Sequence, residues 1–456
     1  MRNLLVLALS AALLAAADEA RRVDALFQAY AGAGTPGCAV GVARDGRTLL
    51  AKGYGVGDLE HGIRLSGDSV FYMASVSKQF MAYATLLLEK EGKLALTDPV
   101  GKHVPGLPEH TAQIPLRHLL QHTSGIRDYL ALGEVMGFLS DHVWTERTAF
   151  ELVARQRATN FAPGAEYLYS NSGYLLLALA AQREIGGKLN PWMQARVFGP
   201  LGMNATRWQH DHRDPVPGRA YGYVQEQGAW KISNSMLDTV GGGGLYSSVN
   251  DMMRWVRRFD EGDALIERMS QTGSLASGKP IPNGYGMGLT RSKYRGLTLI
   301  SHLGSLAGYR TFLFRLPGKK FSVVCLCNNA DALPARLAGQ VADVWMEREY
   351  TEPAAPADNR PASSGGRSVD AMRAAKVAGD WWSDELLTLY RFRARDGKLW
   401  LEVNDRGPME VTQLPDGKLS WSVGGTTFEQ PNDASLVLAA GRVRGITLRR
   451  LLGKTE

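Results

Sequence analysis

Cysteine is scarce in this chain: Cys38, Cys325 and Cys327 are the only three among 456 residues. A disulfide scaffold is thereby excluded. Cys325 and Cys327 stand two apart in the apolar run Phe321 to Cys327, so on a strand they share a face and cannot bridge each other. A bridge from Cys38 to either requires its strand to be the neighbour; otherwise all three are small buried apolar side chains. Long apolar runs are equally rare. After the first 17 residues no segment approaches 18 uninterrupted apolar residues, which excludes a spanning helix there. No cysteine follows the N-terminal apolar run, so no lipid anchor is expected. There is also no block of basic residues interleaved with aromatics, and nucleic acid is not expected as a partner despite a formal charge of +7. The motif His-Glu-x-x-His is missing. His118 and His122 are therefore read as packing or capping a turn at Gly125, and His210-Asp211-His212 as a polar stretch with no third ligand at a recognisable spacing. No metal and no cofactor are expected.

With 45% hydrophobic and 21% charged residues, the chain can bury a sizeable core and is long enough for two or three compact units. Residues 1–17 read as a cleaved export signal: Arg2, the apolar run Leu4 to Leu14, then Ala15-Ala16-Ala17 before Asp18. Export to the periplasm or the medium, with no stable membrane anchor, follows from that reading.

Along the mature chain, Cys38 to Ala43 and Thr48 to Lys52 flank Asp45-Gly46 and predict a hairpin. A helix is expected from Ser75 to Gly92, and helices dominate from Thr145 to Ala205. Ser248 and Asp251 have the spacing of a capping box after Gly241-Gly242-Gly243-Gly244, where the glycines allow close approach of something. Strands follow at Leu297 to Ser301, Tyr309 to Arg315 and Phe321 to Asn328, then a closing helix from Leu333 to Glu349. This order predicts an α/β fold, an antiparallel sheet flanked by helices whose first and last strands meet, with a helical subdomain. A Pro, Ala, Ser and Gly-rich linker over 351–370 separates the domain at 18–350 from short alternating runs over 371–456, which predict an all-β barrel or sandwich.

Three motifs carry chemistry. Ser75 and Lys78 share a helix face, where an amine can take or relay the proton of a hydroxyl nucleophile. The Ser75 amide would point forward from a helix N-terminus, which favours developing negative charge. Tyr169 and Asn171 form the second: a phenolate beside a cation can act as a general base, and the amide can orient the lysine or a substrate carbonyl. A core tyrosine beside a capping asparagine is the plainer alternative. The third is His302-Leu303-Gly304-Ser305 at the end of a strand, where Gly304 leaves room for an extended substrate.

In this order Ser75-x-x-Lys78, Tyr169-x-Asn171 and His302-x-Gly304 resemble the motifs of the serine β-lactamase and penicillin-binding protein superfamily. The class C β-lactamase-like group, with its D-alanyl-D-alanine carboxypeptidases, D-aminopeptidases and esterases, is the most similar. Phe71-Tyr72-Met73-Ala74-Ser75, Leu119 to Gly125, Pro200-Leu201-Gly202-Met203 and Gly243 to Ser247 support it, and the likeness spans about residues 20 to 347. It implies a β-lactamase/transpeptidase-like fold, acylation of Ser75, proton transfer shared by Lys78 and Tyr169, orientation by Asn171, and an oxyanion hole from the amides of Ser75 and Ser305. A C-terminal barrel of lipocalin-like appearance occurs in several members. His302 departs from the lysine that many members carry there, and resembles D-aminopeptidase-like and esterase-like relatives. The expected activity is therefore a D-amino-acid peptidase, carboxypeptidase or esterase, with a class C-like β-lactamase or a non-turnover penicillin-binding sensor as the alternatives.

Overall fold

The computed structural model describes residues 17–139, 141–354, 366–404 and 406–451. Residues 1–16 of the expected export signal and 355–365 of the expected linker lie outside them. Two compact units emerge. The first takes in the chain up to 93, 184–273 and 280–355, and the second 94–183, 274–279 and the chain from 356 onward.

The first unit is built on a six-stranded antiparallel sheet. Its strands are β1 (Cys38–Arg44), β2 (Arg47–Tyr54), β3 (Thr290–Tyr294), β4 (Leu297–Leu306), β5 (Tyr309–Leu316) and β6 (Phe321–Cys327), in the order β3-β4-β5-β6-β1-β2. The hairpin turns at Asp45 and Gly46, whose φ of 52° and 72° are the left-handed pair that a two-residue turn needs. First and last strands pair along their whole length, with Cys38 opposite Cys327, and these two cysteines form a disulfide. Period-two alternation gives the sheet two apolar faces. Cys38, Val40 and Val42 join Val323, Cys325 and Phe314 under the helix Pro334–Met346, with Val23 and Phe27 from the N-terminal segment. On the other face, a Cβ on Gly41 would stand 2.6 Å from Val249 at the start of the helix Val249–Asp260, so glycine there sets how closely helix and sheet approach. Ser248 caps that helix by accepting from the Asp251 N–H at 3.2 Å. The Asp251 carboxylate turns instead to the Ala205 amide and the Thr206 hydroxyl, so the predicted capping box is half of one.

The second unit joins short helices to a closed barrel. Eight strands run β7 (Gly379–Ser383), β8 (Thr388–Arg395), β9 (Lys398–Val403), β10 (Arg406–Gln413), β11 (Leu419–Trp421), β12 (Thr426–Asn432), β13 (Ser435–Ala440) and β14 (Val443–Leu451). β7 pairs with β14 and β10 with β11, which closes the ring. Trp381, Tyr390, Phe392, Trp421 and Phe428 are fully buried, so large side chains occupy the inside of the barrel, as eight strands allow. A buried ion pair ties the barrel to the helices of its own unit: Arg127 donates to Glu385 at 2.7 Å and to the carbonyl of Arg444 at 3.0 Å. The Tyr390 hydroxyl adds a bond to the carbonyl of Val135.

Candidate active site

Ser75 sits in a short 3₁₀ turn, Ala74–Ser77, which leads into the α-helix Lys78–Lys90. The turn is held from two sides. The Met73 N–H donates to the carbonyl of Leu245 (2.8 Å) and the Thr311 hydroxyl donates to the carbonyl of Met73 (2.8 Å). Met73 and Ala74 press so closely on β4 that a Cβ on Gly304 would lie 2.5 Å from the Met73 carbonyl. Gly304 thus brings a strand against the serine turn, a role its spacing alone suggested only as room for a substrate.

Lys78 is fully buried, and its ammonium donates to Ser75 Oγ at 3.3 Å and to the carbonyl of Gly242 at 2.6 Å. The glycine run now has its reason. Gly244 donates its N–H to the Tyr72 hydroxyl (3.0 Å), and a Cβ on Gly243 would stand 2.4 Å from that same oxygen. The Gly242 carbonyl is thereby fixed where it meets the lysine. Gly288 crowds the same helix start, since a Cβ there would lie 2.7 Å from the Lys78 carbonyl. The glycine run signals close approach of something and Tyr72 belongs to the family-like stretch before Ser75, but Gly288 and Thr311 carry no signal in a single sequence, because each acts through a distant partner. Ser75 itself is only partly buried. A hydroxyl open to a substrate and in contact with a buried amine is a geometry for nucleophilic attack.

His302 lies within β4, which runs on to Leu306; the motif is inside the strand and not at its end. β3 pairs with Leu297 to Ser301 only, so from His302 onward β4 has a neighbour in β5 alone. The His302 Nδ1 is 2.8 Å from the Leu303 carbonyl, which places the proton on Nδ1 and leaves Nε2 to accept from the Tyr285 hydroxyl at 3.4 Å. Burial, and then the charge of Lys78, hold the imidazole's pKa down to about 3, so His302 is neutral over the physiological range. Ser305 is exposed on the same strand.

Tyr169 and Asn171 belong to the second unit. Asn171 opens the helix Asn171–Ile185, and both its main-chain N–H and its Nδ2 donate to Asp128 Oδ2. Asp128 Oδ1 caps the helix Tyr129–Val135. Asp128 therefore orients the asparagine and spends one of its two amide N–H groups. The Tyr169 ring lies on His122, with centroids 4.1 Å apart, while His122 Nδ1 accepts from the Ser170 N–H. His122 has φ 57°, and His118 bonds to Thr123 at 2.8 Å, so both histidines build the turn before Gly125. In the first unit, His212 hydrogen-bonds Asp238 and Asp211 pairs with Arg213, so the side chains of that polar stretch hold one another.

The family model described as Beta-lactamase matches residues 23–344. The D-aminopeptidase of Gluconobacter oxydans (strain 621H) is 31% identical over 303 residues, covering 65% of this chain and 56% of the relative. This chain thus spans little more than half the length of that relative. Penicillin-binding protein 4* of Bacillus subtilis (strain 168) is 25% identical over 390 residues, 81% of this chain and 84% of its own. Among solved structures, the octameric penicillin-binding protein homologue from Pyrococcus abyssi superposes with a TM-score of 0.61 at 22% identity, covering 91% of this chain and 96% of the other. The D-amino acid amidase from Ochrobactrum anthropi SV3 gives 0.60 at 21%, covering 73% and 99%. At these identities the superpositions speak for the fold alone.

Proposed function

Because the chain belongs to the β-lactamase family, we propose that it is a serine hydrolase that forms an acyl-enzyme on Ser75, with amides or esters of D-amino acids as its substrates. The contact of Ser75 Oγ with the buried Lys78 ammonium carries this reading. The names of the relatives, D-aminopeptidase and D-amino acid amidase, support the substrate class.

In this mechanism Ser75 Oγ adds to the substrate carbonyl, and its proton passes through Lys78 and Tyr169 to the leaving amine or alcohol. Asn171 orients the lysine and the substrate. The amides of Ser75 and Ser305 receive the oxyanion, a contribution of about 3 to 4 kcal/mol per donor. His302 and Gly304 line the strand along which an extended substrate lies. Water then adds to the acyl-serine and returns the proton to the serine oxygen. The hydrolase domain is assigned to 18–350 and the barrel to 371–456, with 351–370 between them. The Cys38–Cys327 disulfide supports export to an oxidising compartment, the periplasm or the medium.

The second reading is a class C-like β-lactamase or a non-turnover penicillin-binding sensor, favoured by the likeness to penicillin-binding protein 4*. Against it, a neutral His302 provides no permanent cation for a penicillin carboxylate. Intact-mass spectrometry with a fluorophosphonate and a penicillin, on wild type and Ser75→Ala, separates the readings. A fluorophosphonate adduct on wild type alone, with turnover of D-aminoacyl p-nitroanilides, is expected. A penicillin adduct that persists without product indicates the sensor, and no adduct of either kind rules out a nucleophilic Ser75.

A further inference from the structure

His122, in the second unit, stands where the backbone favours a different residue type. It follows the short helix Leu116–Leu120 with φ 57°, the left-handed region in which helices commonly end on glycine or asparagine, because a Cβ there crowds the main chain. Gly125, three residues on, meets the same demand at φ 75° with no side chain. At position 122 the cost is borne by a side chain that is fully buried, and its contacts converge on one short stretch.

That stretch is Leu168-Tyr169-Ser170. The Leu168 N–H donates to the His122 carbonyl at 2.9 Å, and the Ser170 N–H donates to His122 Nδ1 at 3.1 Å. Between these two bonds the Tyr169 ring lies against the imidazole, with centroids 4.1 Å apart and planes at 36° to each other. One residue therefore holds three consecutive ones. Nδ1 accepts from an amide only when it carries no proton, so this bond selects the form of the ring with its N–H on Nε2. Tyr174 braces the imidazole in turn: its ring is 5.1 Å away, and its hydroxyl donates to the Leu120 carbonyl at 2.9 Å, at the end of the helix before His122. Gly164 donates to the Thr123 carbonyl and Asn160 to the Gly125 carbonyl, both at 2.7 Å, so the turn and the tyrosine segment are joined along their length.

We propose that His122 is a positioning residue for Tyr169. The imidazole sets the plane of the phenol ring and the two flanking amides set its main chain, so that the phenol oxygen keeps the position from which it exchanges a proton. The inference rests on the reading of Tyr169 as the residue that shares proton transfer with Lys78, and it goes beyond a part for His122 in the turn alone. A displacement of about 1 Å in such a group can cost about 100-fold in rate.

The test uses the full chain and the labelling of Ser75 by a fluorophosphonate, whose concentration dependence separates the limiting rate from half-saturation without requiring turnover. Two variants keep the left-handed turn. His122→Gly removes the ring and the acceptor, whereas His122→Asn removes the ring and keeps an acceptor oxygen at the same number of bonds from the main chain as Nδ1. His122→Gly is expected to lower the limiting rate about 10- to 100-fold with half-saturation within about twofold, and His122→Asn to recover part of that loss. In a Tyr169→Phe chain the same substitutions should cost less than about twofold more, because a residue that acts through Tyr169 has nothing left to position. An equal loss in both backgrounds, or no loss in either, overturns the proposal. Melting curves identify any loss from unfolding, and if His122→Gly does not fold, His122→Asn carries the same comparison. Should Tyr169→Phe label as fast as wild type, the reading of Tyr169 falls and the proposal with it, a result distinct from any that the His122 variants give alone.

Discussion

Lys78 has no aqueous surroundings, so its ammonium is held by the groups it touches. Lys78→Met keeps the volume of the stem and removes the amine. It should lower the rate of Ser75 acylation by about 100-fold or more, followed by fluorophosphonate labelling over time, with the melting temperature little changed. Gly304→Ala tests a different dependence. Its Cβ would meet the backbone carbonyl of Met73, which cannot swing aside as a flexible side chain does. A loss of about 1 to 3 kcal/mol of stability is expected from urea titration, together with a fall in kcat, because the serine turn must shift. Two buried histidines, His118 and His302, and the half-buried His210 make a prediction about pH. Burial is the first cause that lowers the pKa of His118, His210 (to about 4) and His302 (to about 3) below the ordinary value near 6.5. An unfolded chain binds those protons first as the solution is acidified. Their stabilisation is thus complete above about pH 6.5 and falls as pH drops towards 4 and 3, by up to about 1.4 kcal/mol per pH unit for each histidine. Urea midpoints at pH 7 and pH 5 should show the fall, and His302→Gln should make it shallower.

At the level of the element, the local pairings were readable and the distant ones were not. Ser75 and Lys78 lie within one turn of chain, and Asp45-Gly46 dictates its own hairpin, so both are legible in sequence. Asp128 meets Asn171 across 43 residues and Gly242 meets Lys78 across 164, and no local periodicity reports such contacts. The barrel shows the same division. Its strands with clean alternation, such as Lys398–Val403, are visible in the sequence. Gly379–Ser383, Arg406–Gln413 and Thr426–Asn432 alternate less cleanly, because Gly379, Gly407 with Pro408, and Pro431 interrupt their patterns. Barrel and helices of the second unit meet through an ion pair whose side chains are 2% and 8% exposed. Glu385→Leu leaves Arg127 buried without its counter-charge and should destabilise the unit by about 3 to 5 kcal/mol. Differential scanning calorimetry would show it, and Arg127→Met with Glu385→Leu should recover much of the loss.

Across the whole molecule, the disulfide clips together two cysteines 289 positions apart. Reduction should lower stability by about 2 to 5 kcal/mol, seen as an earlier melt with a strong reductant, whereas Cys325→Ala, which removes the free thiol, should leave that reductant response in place. The pairing of β1 with β6 sets an order of events as well. A hairpin made within the first sixty residues has no central neighbour until residue 327 exists, so the ribosome delivers most of this unit before its sheet can be completed. The nascent polypeptide must therefore wait, kept open and unaggregated, for its own late strand.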